Sequence, residues 1–553
     1  MGRPAGSAGG EGLRRGLINH RRNAEGDART TERCRMLHAQ LCASKNKIYY
    51  FPLREGALMS TAAIPAAADR KESRQWWRVA IPLLIIAIIV ALPPPQGLEQ
   101  HTWYYFAIFA GVIAGLVLEP LPNPAVGLIG VTSVAVLSKW TLFGATDLTK
   151  PGFNAASEAI KWALSGFASS TVWLVGAAFM FALGYKKTGL GRRIALVLVK
   201  ALGRSTLSLG YATTFADTIL APFTPSNTAR SAGTLFPVVV NLPPIYDSKP
   251  HDPSARQIGG YVLWTTFAAS CITSTLFMTG CAPNFLALEF IRKILHVEIT
   301  YRQWITASAP FAIPLLLALP VLVYWIYPPG IKRSPEVPKW AAAELKKMGG
   351  MSAHEIILMI LVLIAIALWV AGGDYVDAAT AAFIVVSFML VAGIITWEDM
   401  AKNDSAWTTI ALLAFLVTMA DGLARSGFIK WFAVFVANHV GGLSPTVMIV
   451  ALVSVYFFSH YMFASLTAHT SAMLPVVLAV GMGIKGLPLD KFALALALTT
   501  GVMAVITPYA TGAALPYYNS GYITPPEFWR LGTIFGLIFL AALLCIGVPL
   551  MIL

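Results

Sequence analysis

The sequence predicts an all-α polytopic membrane protein of about 11 transmembrane helices, built as two inverted repeats with two re-entrant hairpins and two broken helices. Three observations predict it: a composition too apolar for water, a series of apolar runs of membrane-spanning length, and a duplicated pattern of polar breaks inside other runs. Of 553 residues, 56% are hydrophobic and only 12% charged, with a mean hydropathy of +0.66, against about 25% charged in an ordinary soluble domain. That excludes a soluble enzyme, a disordered tail protein and a fibrous repeat. The net charge is +14. Residues 1–58 hold eleven Lys/Arg and five Asp/Glu, so +6 of it lies outside any apolar run, leaving no basic face for nucleic acid. The five cysteines (Cys34, Cys42, Cys271, Cys281, Cys545) lack metal-site spacing.

Residues 1–78 read as a disordered basic leader, without the apolar core and cleavage site of a secretory signal. Met59 opens a more ordinary start, MSTAAIPAAADRKESRQWWR, so residues 1–58 read as an artefact of start-site assignment. Trp76 and Trp77 beside Arg74 and Arg78 form an interfacial anchor. A bilayer core of about 30 Å takes roughly 20 apolar helical residues. Continuous runs lie near 79–94, 102–119, 123–143, 168–185, 309–328, 353–372, 376–396, 407–421 and 530–552.

Four further stretches are interrupted. In the first half, 79–328, they are an inner hairpin at 206–243 (FTPSNTAR at its centre) and a broken helix at 256–293 (TGCAPN). In the second half, 353–553, they are an outer hairpin at 446–484 (FASLTAHT) and a broken helix at 488–521 (TPYATGAALP). Polar, Gly- and Pro-bearing centres of this kind are tolerated only where protein covers the backbone or a cavity receives it. Six Lys/Arg without an acid in 186–204, and five in the linker 329–352, place both loops in the cytoplasm, whereas 425–443 carries only Arg425 and Lys430 and falls outside.

The halves repeat weakly at a period near 239 residues. SNTARSAGTLFPVV from Ser226 aligns with SLTAHTSAMLPVV from Ser465 after one deletion; Thr188-Gly189 aligns with Ser426-Gly427, and Met278-Thr279-Gly280 with Ala510-Thr511-Gly512. Units with an odd number of crossings are inverted relative to one another, the signature of secondary transporters whose broken helices meet at the midplane.

Tips of Ser, Asn and Thr offer groups that both donate and accept, beside the unpaired N–H groups of a returning half-helix. Those ends attract anions, worth about 0.3–1 kcal/mol each when exposed and roughly 2 when partly buried. Two facing tips would grip the two carboxylates of one small acid. The candidate substrate-binding residues are Ser226, Asn227, Thr228, Ser465, Thr467 and Thr511. Side-chain oxygens and unwound carbonyls could also hold a monovalent cation. Gly280 and Gly512 read either as hinges or as close-packing glycines. Arg230 is costly in a membrane; it either supplies charge to the site or pairs with a neighbouring acid such as Asp217. His469 occupies its place in the second copy, and both it and His460 divide between proton sensing and plain packing.

At these residues the chain resembles the divalent anion/sodium symporter family, marked by an SNT motif at each of two hairpin tips. SNTARSAGTLFPV at 226, HYMFASLTAHTSAMLPV at 460 and TPYATGAALPYYNSGYI at 507 are most similar to its branch of bacterial citrate/succinate and tartrate/succinate antiporters and plastid 2-oxoglutarate/malate translocators. The likeness spans roughly residues 75–553. It implies a homodimer with 11 spans per protomer, a scaffold domain, and a transport domain that moves like an elevator in the inner membrane. It also implies carboxylate binding by Asn227 and Thr228, with Ser465 and Thr467 as the outer letters of the second motif. Leu466 stands where symporters carry Asn and removes a ligand from the second sodium site; Ser226, Asn227 and Gly280 match the first.

The resemblance therefore implies exchange of di- or tricarboxylates (succinate, citrate, tartrate, malate or 2-oxoglutarate) with sodium coupling weakened or lost. On this reading residual positive charge from Arg230 hinders passage of the empty carrier, and Arg230→Ala weakens exchange more than Arg193→Ala on the exposed arm. The alternatives are a sodium-coupled dicarboxylate symporter, a passive anion channel, and a membrane enzyme, for which no acid/base or nucleophile constellation is visible. For the leader, the expectation is that mass spectrometry of the native protein recovers peptides beginning at or after Met59; a peptide from within 1–58 refutes the start-site reading.

Overall fold

A computed structural model describes Gly2 and residues 76–372, 375–439 and 444–552. The leader expected over 1–78 lies outside these residues except for Gly2 and its last three positions, and the start-site reading of 1–58 lies outside them except for Gly2. Among the described residues every regular element is helical, apart from one isolated bridge between Ser205 and Arg333.

The first elements are α1 (Trp77–Ala91), α2 (Gln100–Leu118), α3 (Asn123–Val136), α4 (Ala155–Leu164), α5 (Ser170–Thr188) and α6 (Leu190–Leu202). The run expected over 123–143 does not continue as one helix: α3 ends at Val136 and a short turn follows at Ser138–Thr141. There the Thr141 hydroxyl donates to the carbonyls of Leu137 and Val134, at 3.0 and 3.4 Å, competing with continuation of the ladder. The α4 segment, not expected from the sequence, meets α5 at a 41° bend where the Ser169 hydroxyl caps Val172 N–H.

The inner stretch comprises α7 (Thr206–Leu220), a tight turn at Ala221–Phe223, and a π-helical return Thr228–Leu235 that runs into Phe236–Val239. The next break separates α8 (Gly259–Leu276) from α9 (Ala282–Leu295), followed by α10 (Tyr301–Ile326). α10 starts eight residues before the expected run because Thr300 and Gln303 form a capping box. The second half holds α11 (Glu336–Met348), α12 (Ala353–Ala371), α13 (Ala378–Val391), α14 (Asp404–Arg425) and α15 (Phe428–His439). Then come α16 (Pro445–Ser459), α17 (Leu466–Met482), α18 (Leu489–Val502), α19 (Ala514–Asn519) and α20 (Pro525–Ala542), which continues through a π turn to Ile552.

Six of these helices are long and apolar enough to cross a bilayer, or seven with the bent α4–α5 pair; α1, α3, α13, α15 and α17 are apolar but shorter. The interruptions expected at all four polar centres are present. Gly189 between α5 and α6, and Gly427 between α14 and α15, both take positive φ, +78° and +91°, a region open to glycine at little cost.

α8 lies at the centre of the molecule, with all eighteen residues buried, among them Thr265, Thr266, Ser270, Thr273, Ser274 and Thr275. It crosses α18 at Gly501, where a Cβ would stand 2.2 Å from Thr275 Oγ1 and 2.5 Å from Thr275 N. Gly501→Ala is therefore expected to cost about 1–3 kcal/mol through overpacking. A melting temperature in detergent checks it, with Gly350→Ala, where no atom comes within 4 Å, leaving the melt unchanged.

Candidate functional site

Arg230, on the π-helical return, is buried with its guanidinium fully used. Nε donates to both oxygens of Asp217 on α7, at 3.1 and 3.2 Å. Nη1 donates to the carbonyls of Thr224 and Gly280, at 2.9 and 2.8 Å. Nη2 reaches Ser270 O, Thr273 Oγ1 and Ser274 Oγ within 3.2 Å, and Thr273 also donates to Asp217. The pairing alternative holds, because the cation is neutralised by Asp217 and offers no free N–H to a ligand. Arg193 departs from the sequence reading as well. It is buried rather than exposed, forked onto Glu355 at 2.6 and 3.2 Å and bonded to Gly349 O and Gly350 O.

At the first break the chain turns extended at Phe277, makes a tight turn at Met278–Gly280 and turns extended again at Cys281. Asn284, on the first turn of α9, donates its amide to the carbonyls of Ser274, Phe277 and Met278, at 2.8, 3.3 and 3.2 Å. The Thr279 hydroxyl bonds Pro222 O at 2.6 Å, tying the break to the inner tip. Gly280 is a close-packing glycine, for a Cβ there would lie 2.7 Å from Thr273 O. Asn284 was present in the TGCAPN motif but carried no assignment from sequence.

The second break, Ile506–Ala513, is stitched to both tips. Toward the inner tip, Asn227 Nδ2 donates to Thr511 Oγ1 at 3.1 Å, and that hydroxyl lies 3.3 Å from Asn227 Oδ1. Thr228 packs on Gly512, whose Cβ would stand 2.8 Å from Thr228 Oγ1. Tyr517 OH meets Ser231 Oγ at 2.9 Å and donates to Ser231 O at 3.1 Å. Toward the outer tip, His460 Nε2 meets Ala510 O at 3.1 Å and Tyr509 OH donates to Tyr461 O at 3.0 Å. The tips are thus joined through this segment, and no hydrogen bond links Asn227 directly to Thr467 among the described residues.

At the outer tip Ser465 caps α17, accepting from Ala468 N–H at 3.5 Å, as Ser226 accepts from Ala229 N–H at 3.1 Å at the inner one. Thr228 is exposed and Thr467 half-buried, and neither hydroxyl has a hydrogen-bond partner among the described residues. His469 Nε2 lies 2.8 Å from Ser459 Oγ, with the rings of Tyr456, His460 and Phe463 around it at centroid distances of 4.6–4.9 Å. No acid pairs with either His469 or His460 among the described residues.

Each member of the sodium set Ser226, Asn227 and Gly280 already has a protein hydrogen-bond partner. The carbonyl accepts from Arg230, the amide is engaged with Thr511, and the serine caps the returning helix.

Apolar helices interrupted at polar centres, with two tips joined through an unwound segment, are the arrangement of polytopic carriers with broken helices. Residues 73–553 match the family model described as the sodium:sulfate symporter transmembrane region, and the chain belongs to that family. It is 47% identical over 475 residues to the citrate/succinate antiporter of Escherichia coli K12, covering 86% of this chain and 98% of the relative. It is likewise 47% identical over 477 residues to the L-tartrate/succinate antiporter of the same strain, with the same coverage. Both relatives are named as transporters, not enzymes. The fold is similar to that of the Alcanivorax borkumensis YdaH transporter, with a TM-score of 0.51 at 16% identity, covering 78% of this chain and 97% of that one.

Arg230→Ala is expected to cost about 3–5 kcal/mol of stability by leaving Asp217 buried and uncompensated. Thermal melts check this: adding Asp217→Ala to Arg230→Ala should cost far less than Asp217→Ala costs alone, and simple additivity would remove the pair from this role.

Proposed function

We propose that the chain is an exchanger of di- or tricarboxylates, of the succinate, citrate, tartrate, malate or 2-oxoglutarate class, in the inner membrane. The observation that carries this reading is its 47% identity, across 98% of each relative, to two antiporters whose names share succinate. The geometry supports it: Thr228 and Thr467 present free hydroxyls at the two tips, beside the N-terminal turns of two returning helices, a neutral arrangement suited to carboxylates.

Counting each broken helix once and treating both hairpins as re-entrant, α1, α2, α3, α5, α8–α9, α10, α12, α13, α14, α18–α19 and α20 make eleven spans. On this count the two halves are inverted, with α6 and α11 on the cytoplasmic side and α15 outside. We also propose a lipid-embedded homodimer in which the segments carrying both tips move as an elevator against the rest. Sodium-coupled symport is disfavoured by Leu466 in the second motif and by Arg230 at Gly280 in the first.

Counterflow in proteoliposomes tests the proposal. Vesicles preloaded with succinate should take up labelled citrate, tartrate or succinate equally with and without a sodium gradient, and empty vesicles should not. Sodium-driven uptake into empty vesicles overturns exchange in favour of symport. Asn227→Ala and Thr511→Val should each lower counterflow at least tenfold, which corresponds to about 1.4 kcal/mol.

A further inference from the structure

Residues 203–206, at the end of α6, and residues 330–335, after α10, are strapped together by main-chain carbonyls. Thr206 N–H donates to Lys332 O at 3.1 Å and Ser334 N–H to Arg204 O at 2.9 Å, with the Ser205–Arg333 bridge between them. The hydroxyls of Thr206 and Ser334 add bonds to Ile331 O and Gly203 O at 2.6 and 2.7 Å. None of these bonds uses the side chains of Arg204, Lys332 or Arg333, which are exposed and have no ion-pair or hydrogen-bond partner among the described residues. The two segments, GRST and GIKRSP, contain no acid. Lys200, one turn earlier on α6, is also exposed and unpaired.

Most neighbouring cations on this side are accounted for: Arg192 with Glu344, Arg193 with Glu355, Arg256 with Glu527, Lys339 with Glu336 and Lys347 with Glu344. Of the nearest acids, Glu336 is paired with Lys339. The unpaired cations also adjoin apolar surface. α10 ends six residues before Lys332 with Trp325 74% exposed, and α6 leaves Val197 48% exposed. A cluster of cations held at the end of a span, with a tryptophan and aliphatic surface alongside, matches a lipid phosphate with its acyl chains.

Resting on the orientation proposed above, we propose that this strap is a binding site for the phosphate of an anionic phospholipid of the inner leaflet, held by Arg204, Lys332 and Arg333 with Lys200 at its edge. Because the strap itself is held by backbone groups and small hydroxyls, its cations can be removed without unfolding it.

The test uses the full purified chain. Added phosphatidylglycerol should raise the melting temperature of the wild-type protein, and of a K139Q/K430Q/K485Q control with the same loss of charge, but not that of R204Q/K332Q/R333Q. Native mass spectrometry should show at least tenfold less retained phosphatidylglycerol on the latter. Equal responses in all three proteins overturn the site. An equal shift produced by inorganic phosphate at millimolar concentration overturns lipid as the ligand. Orientation is read separately, by labelling Lys332→Cys with an impermeant reagent in right-side-out vesicles. Labelling above that of the unsubstituted chain overturns the leaflet, and with it the topology proposed above, while leaving the lipid measurement to decide the site.

Discussion

A helix that stops inside an apolar slab leaves carbonyls and N–H groups with no water to receive them, and each unpaired group costs about 1–3 kcal/mol. The break between α8 and α9 meets that constraint through two side chains. Asn284 covers the carbonyls of Ser274, Phe277 and Met278, and Arg230 covers that of Gly280 while also bonding Ser270 O on α8 and Thr224 O at the inner tip. Only a guanidinium carries five donors in one rigid fork, so a neutral side chain could not reach the same set. The choice of arginine in turn requires Asp217, since a buried charge without a counter-ion is strongly destabilising. The hydroxyls of Thr273 and Ser274 complete the shell.

The second half solves the same problem without charge. His469 occupies Arg230's register but bonds Ser459 and is enclosed by aromatic rings, while the carbonyl of Ala510 is taken by His460 from the outer tip. The two halves therefore share positions more than electrostatics. The second break depends on both tips for its partners: Thr511 on Asn227, Tyr517 on Ser231 and Ala510 on His460. Displacing either tip would expose backbone and hydroxyl groups of this segment, which couples the inner hairpin to the outer one through a chain of hydrogen bonds.

Most of the helical architecture was legible because apolar runs and polar interruptions are strong one-dimensional signals. All four breaks fall at the Ser/Thr/Asn/Gly/Pro centres that the sequence exposes. What escaped was of two kinds. Helix limits set by side-chain bonding, such as the stop at Val136 and the early start at Tyr301, leave no trace in hydropathy. Partners distant in sequence were also hidden: Asp217 could be offered to Arg230 as a neighbour, but Gly280, Ser270 and Thr273 could not, nor could Glu355 for Arg193. The candidate residues Asn227 and Thr511 are brought together across 284 positions. Thr467 was legible as a tip residue, but its relation to Asn227 is indirect, through the second break.

The Arg230–Asp217 pair also changes the physical basis on which exchange must rest. A free arginine at the inner tip would have opposed passage of the empty carrier by its charge, but a neutralised, fully bonded one does not. The groups left to oppose it are neutral: the unpartnered hydroxyls of Thr228 and Thr467 and the first N–H groups of the returning helices. Taken through an apolar barrier without water or ligand, each such donor costs about 1–3 kcal/mol, and a few of them together reach a barrier that makes empty passage rare. On the exchange proposed above, a bound dicarboxylate would supply acceptors to several at once, so differential stabilisation of the closed, loaded form over the closed, empty one would follow from hydrogen bonding alone, without recourse to sodium or a fixed positive charge.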